Sequence, residues 1–195
     1  RKRITLTTEG IFALAFYLAV RAGDRIGRDE MVEAFWPTST PAKGRHSLRQ
    51  MLYRLRQKGF VLDEETNEEL YLDPARVDCD ISRVLLEDWA DTADAAAVAD
   101  AGEPTPTFTK QLSERFQEWN DSLRSRVSRQ HRRAALRQIV QARREGRWSD
   151  LEVWAQHVLR SDPLNEEATL ARAESAAMAG SKSMALEILD QYMEE

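Results

Sequence analysis

Residues 44–60 read GRHSLRQMLYRLRQKGF, and five of these seventeen side chains are basic in a protein of net charge -5. Apolar residues recur there at the spacing i, i+3, i+4 and i+7, namely Leu48, Met51, Leu52 and Leu55. This spacing predicts an amphipathic helix that packs by one leucine-rich stripe. The opposite side of that helix then displays His46, Gln50, Tyr53 and Gln57, flanked by Lys43, Arg49 and Arg54.

Two further helices are predicted upstream of this segment. The stretch EGIFALAFYLAV is apolar around nearly its whole circumference, so we expect a buried helix that begins at Thr8 or Glu9 and ends before Gly23. The stretch IGRDEMVEAFWP predicts a second helix, with acidic residues in its first turn and Pro37 as its stop. STPAK, residues 39–43, is expected to form a turn before the third helix.

A β-hairpin is predicted after Gly59. FVL and LYLD are two short β-prone runs, and the polar stretch DEETNEE separates them. Three helices followed by a hairpin form the winged helix-turn-helix arrangement. We therefore predict a mainly α protein whose N-terminal domain, residues 1–78, is a winged helix-turn-helix with a small β-hairpin wing.

Residues 79–195 are predicted to form a second, all-helical domain. It begins with a helix over DISRVLLEDWA, followed by an acidic, Ala/Asp-rich segment over residues 88–107 that is either a weak helix and a loop or a linker. Further along, Gly146 and Gly180 lie 34 residues apart, and Leu151/Ala185 and Trp154/Ile188 fall in the same register. This period predicts a tetratricopeptide-like repeat.

The charge is distributed unevenly along the chain. Residues 1–62 carry a net +7, residues 63–107 carry -12, and residues 108–195 are neutral. An acidic average therefore does not exclude nucleic-acid binding, because binding responds to the local field of a patch. Taken alone, however, such a charge run more often marks the solvated face of a helix.

Composition and motifs limit the other functional classes. Because Cys79 is the single cysteine, no internal disulfide is possible, and together with the absence of a long apolar run this favours a cytoplasmic protein without membrane contact. No phosphate-binding glycine loop or nucleophile motif is present, and the three histidines lack metal-ligand spacing. We expect no enzymatic activity, no catalytic residue, no metal and no cofactor.

Since the chain begins at Arg1 and its helical pattern continues to the last residues, we also expect it to be part of a longer protein.

Particular motifs carry a family resemblance. EGIFALAFYLAVRAGDRIGRDEMVEAFWP and RHSLRQMLYRLRQ resemble the helix-turn-helix of antibiotic-regulatory-type bacterial transcriptional activators. The shared pattern is met by Ala13–Ala19, Arg28–Met31, Phe35–Pro37, Leu48-Arg49 and Leu55-Arg56. FQEWNDSLRSRVSRQHRRAAL and VLRSDPLNEEATLARAESAAMAG look like the bacterial transcriptional activator domain that follows in that family, and DPLNEEA in particular matches an element of its pattern. The resemblance covers most of the chain in the right order.

This resemblance implies a transcriptional regulator that binds double-stranded DNA at promoter direct repeats, pairs as a homodimer there, and contacts RNA polymerase or another protein through its helical domain. Arg49 would lie in the recognition helix, with His46, Gln50 and Tyr53 reaching base edges in the major groove. Phosphate contacts would come from the other basic residues of this region, namely Arg28, Lys43, Arg45, Arg54 and Lys58.

Two departures from the family pattern leave an alternative open. The tip of the hairpin is acidic, with Asp63, Glu64, Glu65, Glu68 and Glu69, and phosphates would repel these carboxylates. The strands that usually precede the first helix are mostly missing, because RKRITL supplies at most one. The chain could instead be a degenerate winged-helix and repeat module that binds a protein and not DNA. A weaker third hypothesis is a sensor whose helical domain binds a peptide or small effector.

Overall fold

The computed structural model describes residues 8–86, 88–94, 98, 105–109 and 112–194, excluding the side chains of residues 64 and 65. The described chain is mainly helical and divides into two compact units. Unit 1 comprises Arg1–Arg83 with Thr105–Arg124, and unit 2 comprises Val84–Pro104 with Ser125–Glu195. None of the helices described is long and apolar enough to cross a membrane. The RKRITL segment, where an N-terminal strand was considered, lies outside the described residues.

Three helices and a small sheet build unit 1. The helices are α1 (Glu9–Val20), α2 (Arg28–Phe35) and α3 (Pro41–Gln57), followed by the short α4 (Asp80–Val84). The strands are β1 (Arg25–Gly27), β2 (Glu64–Glu65) and β3 (Glu69–Tyr71), and a 3₁₀ turn covers Pro74–Arg76. The three predicted helices are therefore confirmed as elements.

The predicted start of the third helix was wrong by a few residues. STPAK is not a turn throughout, because α3 already begins at Pro41, with Thr40 as its N-cap in an extended conformation. Proline suits the first helical position, since its missing N–H has no intrahelical acceptor there and its φ is already helical. Lys43 consequently lies within α3 and not in a preceding loop.

The sheet differs from the predicted hairpin in two ways. FVL does not form its first arm, because that strand is Glu64–Glu65. A third strand, β1, was missed; it pairs antiparallel with β3 in the order β1-β3-β2 and places Ile26 opposite Leu70. Both side chains are about 99–100% buried, so this pair anchors the sheet to the helices. A three-residue strand is too short to show a recognisable period in the sequence.

The core of unit 1 forms around α1, whose residues Ala13, Leu14 and Leu18 are almost completely buried. The leucine stripe of α3 packs in the same core, with Leu48 and Leu55 at most 1% exposed. Burying one such leucine stabilises the fold by roughly 1.5–3 kcal/mol relative to leaving it exposed. This packing fixes the rotation of α3 and therefore which side chains it presents to solvent.

The compact units do not follow the predicted domain limits of 1–78 and 79–195. Residues 105–124 belong to unit 1, although the sequence placed them in the helical domain. The physical cause is aromatic packing: Phe116 lies 4.9 Å from Phe35, and Trp119 lies 4.6 Å from Tyr17, between ring centroids. Phe108 completes the cluster, 5.8 Å from Phe16.

Unit 2 is built from helices. Its elements are α5 (Trp89–Thr92), the part of α6 (Glu114–Glu145) from Ser125 onward, α7 (Trp148–Ser161), α8 (Glu166–Met178) and α9 (Lys182–Glu194). One prediction was wrong here, because DISRVLLEDWA does not form a single helix: it contains α4 and the first two residues of α5. Of the acidic segment 88–107, only residues 88–94, 98 and 105–107 are described.

The 34-residue period recurs in the backbone of unit 2. The helix ends at Gly146 and Gly180 have positive φ values of 68° and 88°. At each end the following amide closes back on the helix, with Arg147 N donating to Ala142 O and Ser181 N to Ala176 O, both at 2.9 Å. These are Schellman-type turns, in which glycine avoids the strain of a left-handed conformation. Equivalent turns therefore follow α6 and α8.

Candidate functional site

The outer face of α3, defined by His46, Arg49, Gln50, Tyr53 and Arg54, is exposed to solvent. These five side chains line one shallow pocket, as the helical period predicts. Tyr53 is 59% exposed, although a large aromatic side chain usually gains by burial. An exposed tyrosine among basic side chains is typical of a contact surface.

Two residues of the outer face are already in contact with each other. The Nε2 atoms of Gln50 and His46 lie 2.9 Å apart, one helical turn from each other. Either ring tautomer of His46 leaves hydrogen-bonding groups on this pair directed along the helix surface. The pair therefore offers a preorganised set of polar groups next to Arg49.

No carboxylate of the described residues neutralises the arginines of the outer face. Within the part of the chain that the structure describes, Arg49 and Arg54 form no ion pair, and neither do Lys43 and Lys58. Lys43 lies in the first turn of α3 and Lys58 caps its end, and both are exposed. The structure thus brings Arg49 and Arg54 together, while the two lysines mark the ends of the helix.

A groove of about 610 Å³ runs between α3 and the tip of the sheet. This hairpin groove is lined by Arg28, Arg45, Leu48, Arg49, Tyr53, Arg56 and Asn67. Arg49 and Tyr53 also belong to the outer face, so the two surfaces are continuous. Arg56 and Asn67 were not among the predicted site residues.

Arg28 is held at the edge of the hairpin groove by the β-turn. Its backbone N–H donates to Glu68 O at 2.7 Å, and its Nε–H donates to Thr66 O at 2.8 Å. These two bonds fix the start of α2 to the turn between β2 and β3. The Arg28 guanidinium and the Asn67 side chain consequently lie beside the same groove.

Arg45 has a partner that the sequence did not reveal. Its Nε and Nη2 donate to Oδ1 and Oδ2 of Asp29 at 2.8 and 2.7 Å. These hydrogen bonds lower the pKa of the Asp29 carboxyl and raise the pKa of Arg45. Arg45, which is predicted to contact a DNA phosphate, is thus exposed, but its charge is offset by a carboxylate of α2.

The acidic hairpin is partly neutralised within unit 1. The Asp63 carboxylate is only 12% exposed, lies 2.7 Å from Arg76 Nη1 and accepts a hydrogen bond from Asp73 N. Glu69 Oε2 lies 3.8 Å from Arg25 Nη1. Glu68 is exposed, and the side chains of Glu64 and Glu65 lie outside the described residues. Two of the five carboxylates are therefore turned toward cations of their own unit.

The arrangement is suited to binding an extended anion and not to enclosing a small substrate. It combines a convex helix face with an adjoining groove and presents guanidinium, amide and phenol groups on one surface. Guanidinium groups bind phosphate oxygens through charge-assisted hydrogen bonds. Among the described residues, no group of three or more His, Cys, Asp or Glu side chains could hold a metal ion.

No protein-family model matches the sequence, and no curated protein matches it.

Proposed function

We propose that this protein is a sequence-specific DNA-binding transcriptional regulator that inserts α3 into the major groove of double-stranded DNA. In this interpretation unit 1 is a winged helix-turn-helix, with the β2–β3 hairpin as its wing. The observation that carries the proposal is the outer face of α3, which is exposed and whose arginines are not ion-paired among the described residues.

The side chains of the outer face have separate roles in the proposal. Arg49, His46 and Gln50 lie near the middle of the exposed face and are of the types that donate to purine edges in the major groove. Arg54 and the two lysines lie nearer the two ends of the helix and would meet phosphates, as would Arg28 beside the hairpin. Phosphate contacts set the register of the protein on DNA, whereas base contacts set its specificity.

Unit 2 would supply regulation or partner contact. Its 34-residue period supports a tetratricopeptide-like domain, a fold that commonly presents a surface for protein partners. In the family that the sequence resembles, that domain accompanies promoter binding as an activator, with RNA polymerase as one candidate partner. Two copies of the chain would then occupy adjacent direct repeats.

A selection of bound duplexes from a random pool tests the proposal directly. The full-length protein should enrich a repeated motif, and Arg49→Ala should weaken binding to that motif by about tenfold or more, since a good bidentate base contact contributes roughly 1–3 kcal/mol. Arg172→Ala is the matched control, because Arg172 belongs to unit 2 and pairs there with Glu152. An unenriched pool and no duplex affinity at low salt would reject the proposal.

The second candidate is a protein-interaction module that does not bind DNA. It is favoured by exposed apolar side chains on the last two helices, where Leu170, Met178, Met184, Leu186 and Met193 are between 41% and 83% exposed. Exposed apolar side chains of this kind often mark protein contacts when they form a patch. A stable protein partner that is retained by the Arg49→Ala variant, together with absent duplex binding, would favour this candidate.

A further inference from the structure

The ion pair between Asp29 and Arg45 joins α2 to the hairpin groove in a fork-like geometry. Both carboxylate oxygens are used, one by Nε and one by Nη2, at 2.8 and 2.7 Å. This two-bond arrangement fixes the plane of the guanidinium as well as its distance. The pair is exposed, with side-chain exposures of 57% and 65%, so its importance does not lie in stabilising the core.

The fork leaves one edge of the guanidinium unoccupied. Nη1 and the second N–H of Nη2 have no acceptor among the described residues. Arg45 also lines the hairpin groove together with Arg28 and Arg49. The remaining N–H groups are therefore available to an anion in that groove, and the carboxylate on the other edge restricts their orientation.

We propose that Asp29 is a positioning residue that holds Arg45 so that its free edge donates to a DNA backbone phosphate in the hairpin groove. This inference rests on the proposed function. The physical gain is entropic: an unrestrained arginine must lose rotamer freedom when it binds, whereas Arg45 is already ordered in the free protein. The opposing effect is repulsion between the Asp29 carboxylate and the phosphates, which salt screens strongly at an exposed site.

The two effects change the affinity for DNA in opposite directions in the Asp29→Asn variant. Asparagine removes a negative charge near a polyanion, so charge alone would strengthen DNA binding. Loss of the fork would instead weaken it, by about threefold, a change of the size expected for an exposed pair. Asp29→Glu, which keeps the carboxylate, should restore part of the loss.

The experiment measures the dissociation constant for the selected duplex over a range of salt concentrations, using the full-length protein. Glu33→Gln is the control, because Glu33 lies on the same helix and also pairs with an arginine, Arg115, at 2.7 Å. The control should bind like the unaltered protein or slightly more tightly. Arg45→Ala should weaken binding, and the double variant Asp29→Asn/Arg45→Ala should bind no more weakly than Arg45→Ala alone.

The outcomes separate this inference from the proposed function. If the unaltered protein binds no duplex, both are overturned. If it binds and Arg49→Ala weakens binding, while Asp29→Asn tightens binding or the two variants act additively, the proposed function stands and the positioning role is rejected. Thermal unfolding of each variant shows whether it is folded, and loss of folded protein would reduce the active fraction without changing the salt dependence of binding.

Discussion

Val32 and Gly44 meet where α2 crosses α3, and a β-carbon added at Gly44 would lie only 2.3 Å from Val32 Cγ1. The absence of a side chain at Gly44 thus permits the two helices to approach closely. This contact fixes the relation between the first turn of α2, with Arg28 and Asp29, and the first turns of α3, with Arg45.

Gly44→Ala should destabilise unit 1 even though alanine is the better helix former. The added methyl group forces the helices apart, at a cost of about 1–3 kcal/mol for overpacking, against a gain in helix propensity of roughly 1 kcal/mol. Urea denaturation followed by circular dichroism measures the difference. Gly10→Ala is the matched control, because its new β-carbon would meet only Met51 Cε at 3.5 Å, an ordinary contact. Equal stabilities for the two variants would contradict the close-approach account.

Phe116→Ala should lower the free energy of unfolding of unit 1 by about 3–5 kcal/mol, as expected for truncating a buried phenylalanine. The ring is fully buried and contacts Phe35, Phe108 and Trp119. Val140→Ala on the same helix is the control, since Val140 is 38% exposed. A small effect at Phe116 would mean that residues 105–124 are not required by the first core.

These two contacts show where sequence reasoning succeeds and fails for the fold. The leucine stripe of α3 and the apolar run of α1 could be predicted because a helix places residues three and four positions apart on one face. The contact between Phe116 and Phe35 could not be predicted, because nothing in a sequence specifies which of several aromatic stripes will pack together. For the same reason β1 was missed, since it exists by pairing with β3.

Arg54→Ala should weaken binding to all duplexes alike, specific and non-specific, if Arg54 contacts only phosphate. The plot of log affinity against log salt concentration should become shallower by about one. Fluorescence anisotropy with the selected duplex and a scrambled duplex measures both effects. A loss confined to the selected sequence would instead assign Arg54 to base recognition.

Lowering the pH below about 6.5 should destabilise unit 2 through two histidines. Burial lowers the pKa of His131, which lies 4.8 Å from Trp89 between ring centroids, with a smaller contribution from His157. Burial also lowers the pKa of His157, and the charge of Arg160 adds to it. Because these histidines bind protons more readily in the unfolded chain than in the folded one, the folded state is most stable above their unfolded pKa. Its stability falls as the pH decreases toward their lowered pKa values in the folded state.

Urea denaturation at pH 7.5 and 5.5 measures this pH effect, and the variant His131→Gln/His157→Gln should show a smaller difference between the two conditions. This range lies above the usual pKa of carboxyl groups, so aspartates and glutamates contribute little. An unchanged pH dependence in the variant would assign the effect to other groups.

At the candidate site, the residues of the outer face could be predicted from the sequence, but the residues that surround this face could not. His46, Arg49, Gln50, Tyr53 and Arg54 share one surface because helix geometry alone requires it. The Asp29–Arg45 pair spans sixteen positions and depends on how α2 crosses α3. Asn67 lies among acidic residues in the sequence, and only the tie between Arg28 and the β-turn places it beside the hairpin groove.

The matched turns at Gly146 and Gly180 have a consequence for protein engineering. Because each turn closes the preceding helix in the same way, the chain leaves both in the same local conformation. Residues 147–180 are consequently bounded by matching turns, so extra copies of this segment could be spliced in while the local chain geometry at the junctions is kept. Lengthening unit 2 in this way would give a graded series of proteins in which the stability of the helical unit can be compared with its number of repeats.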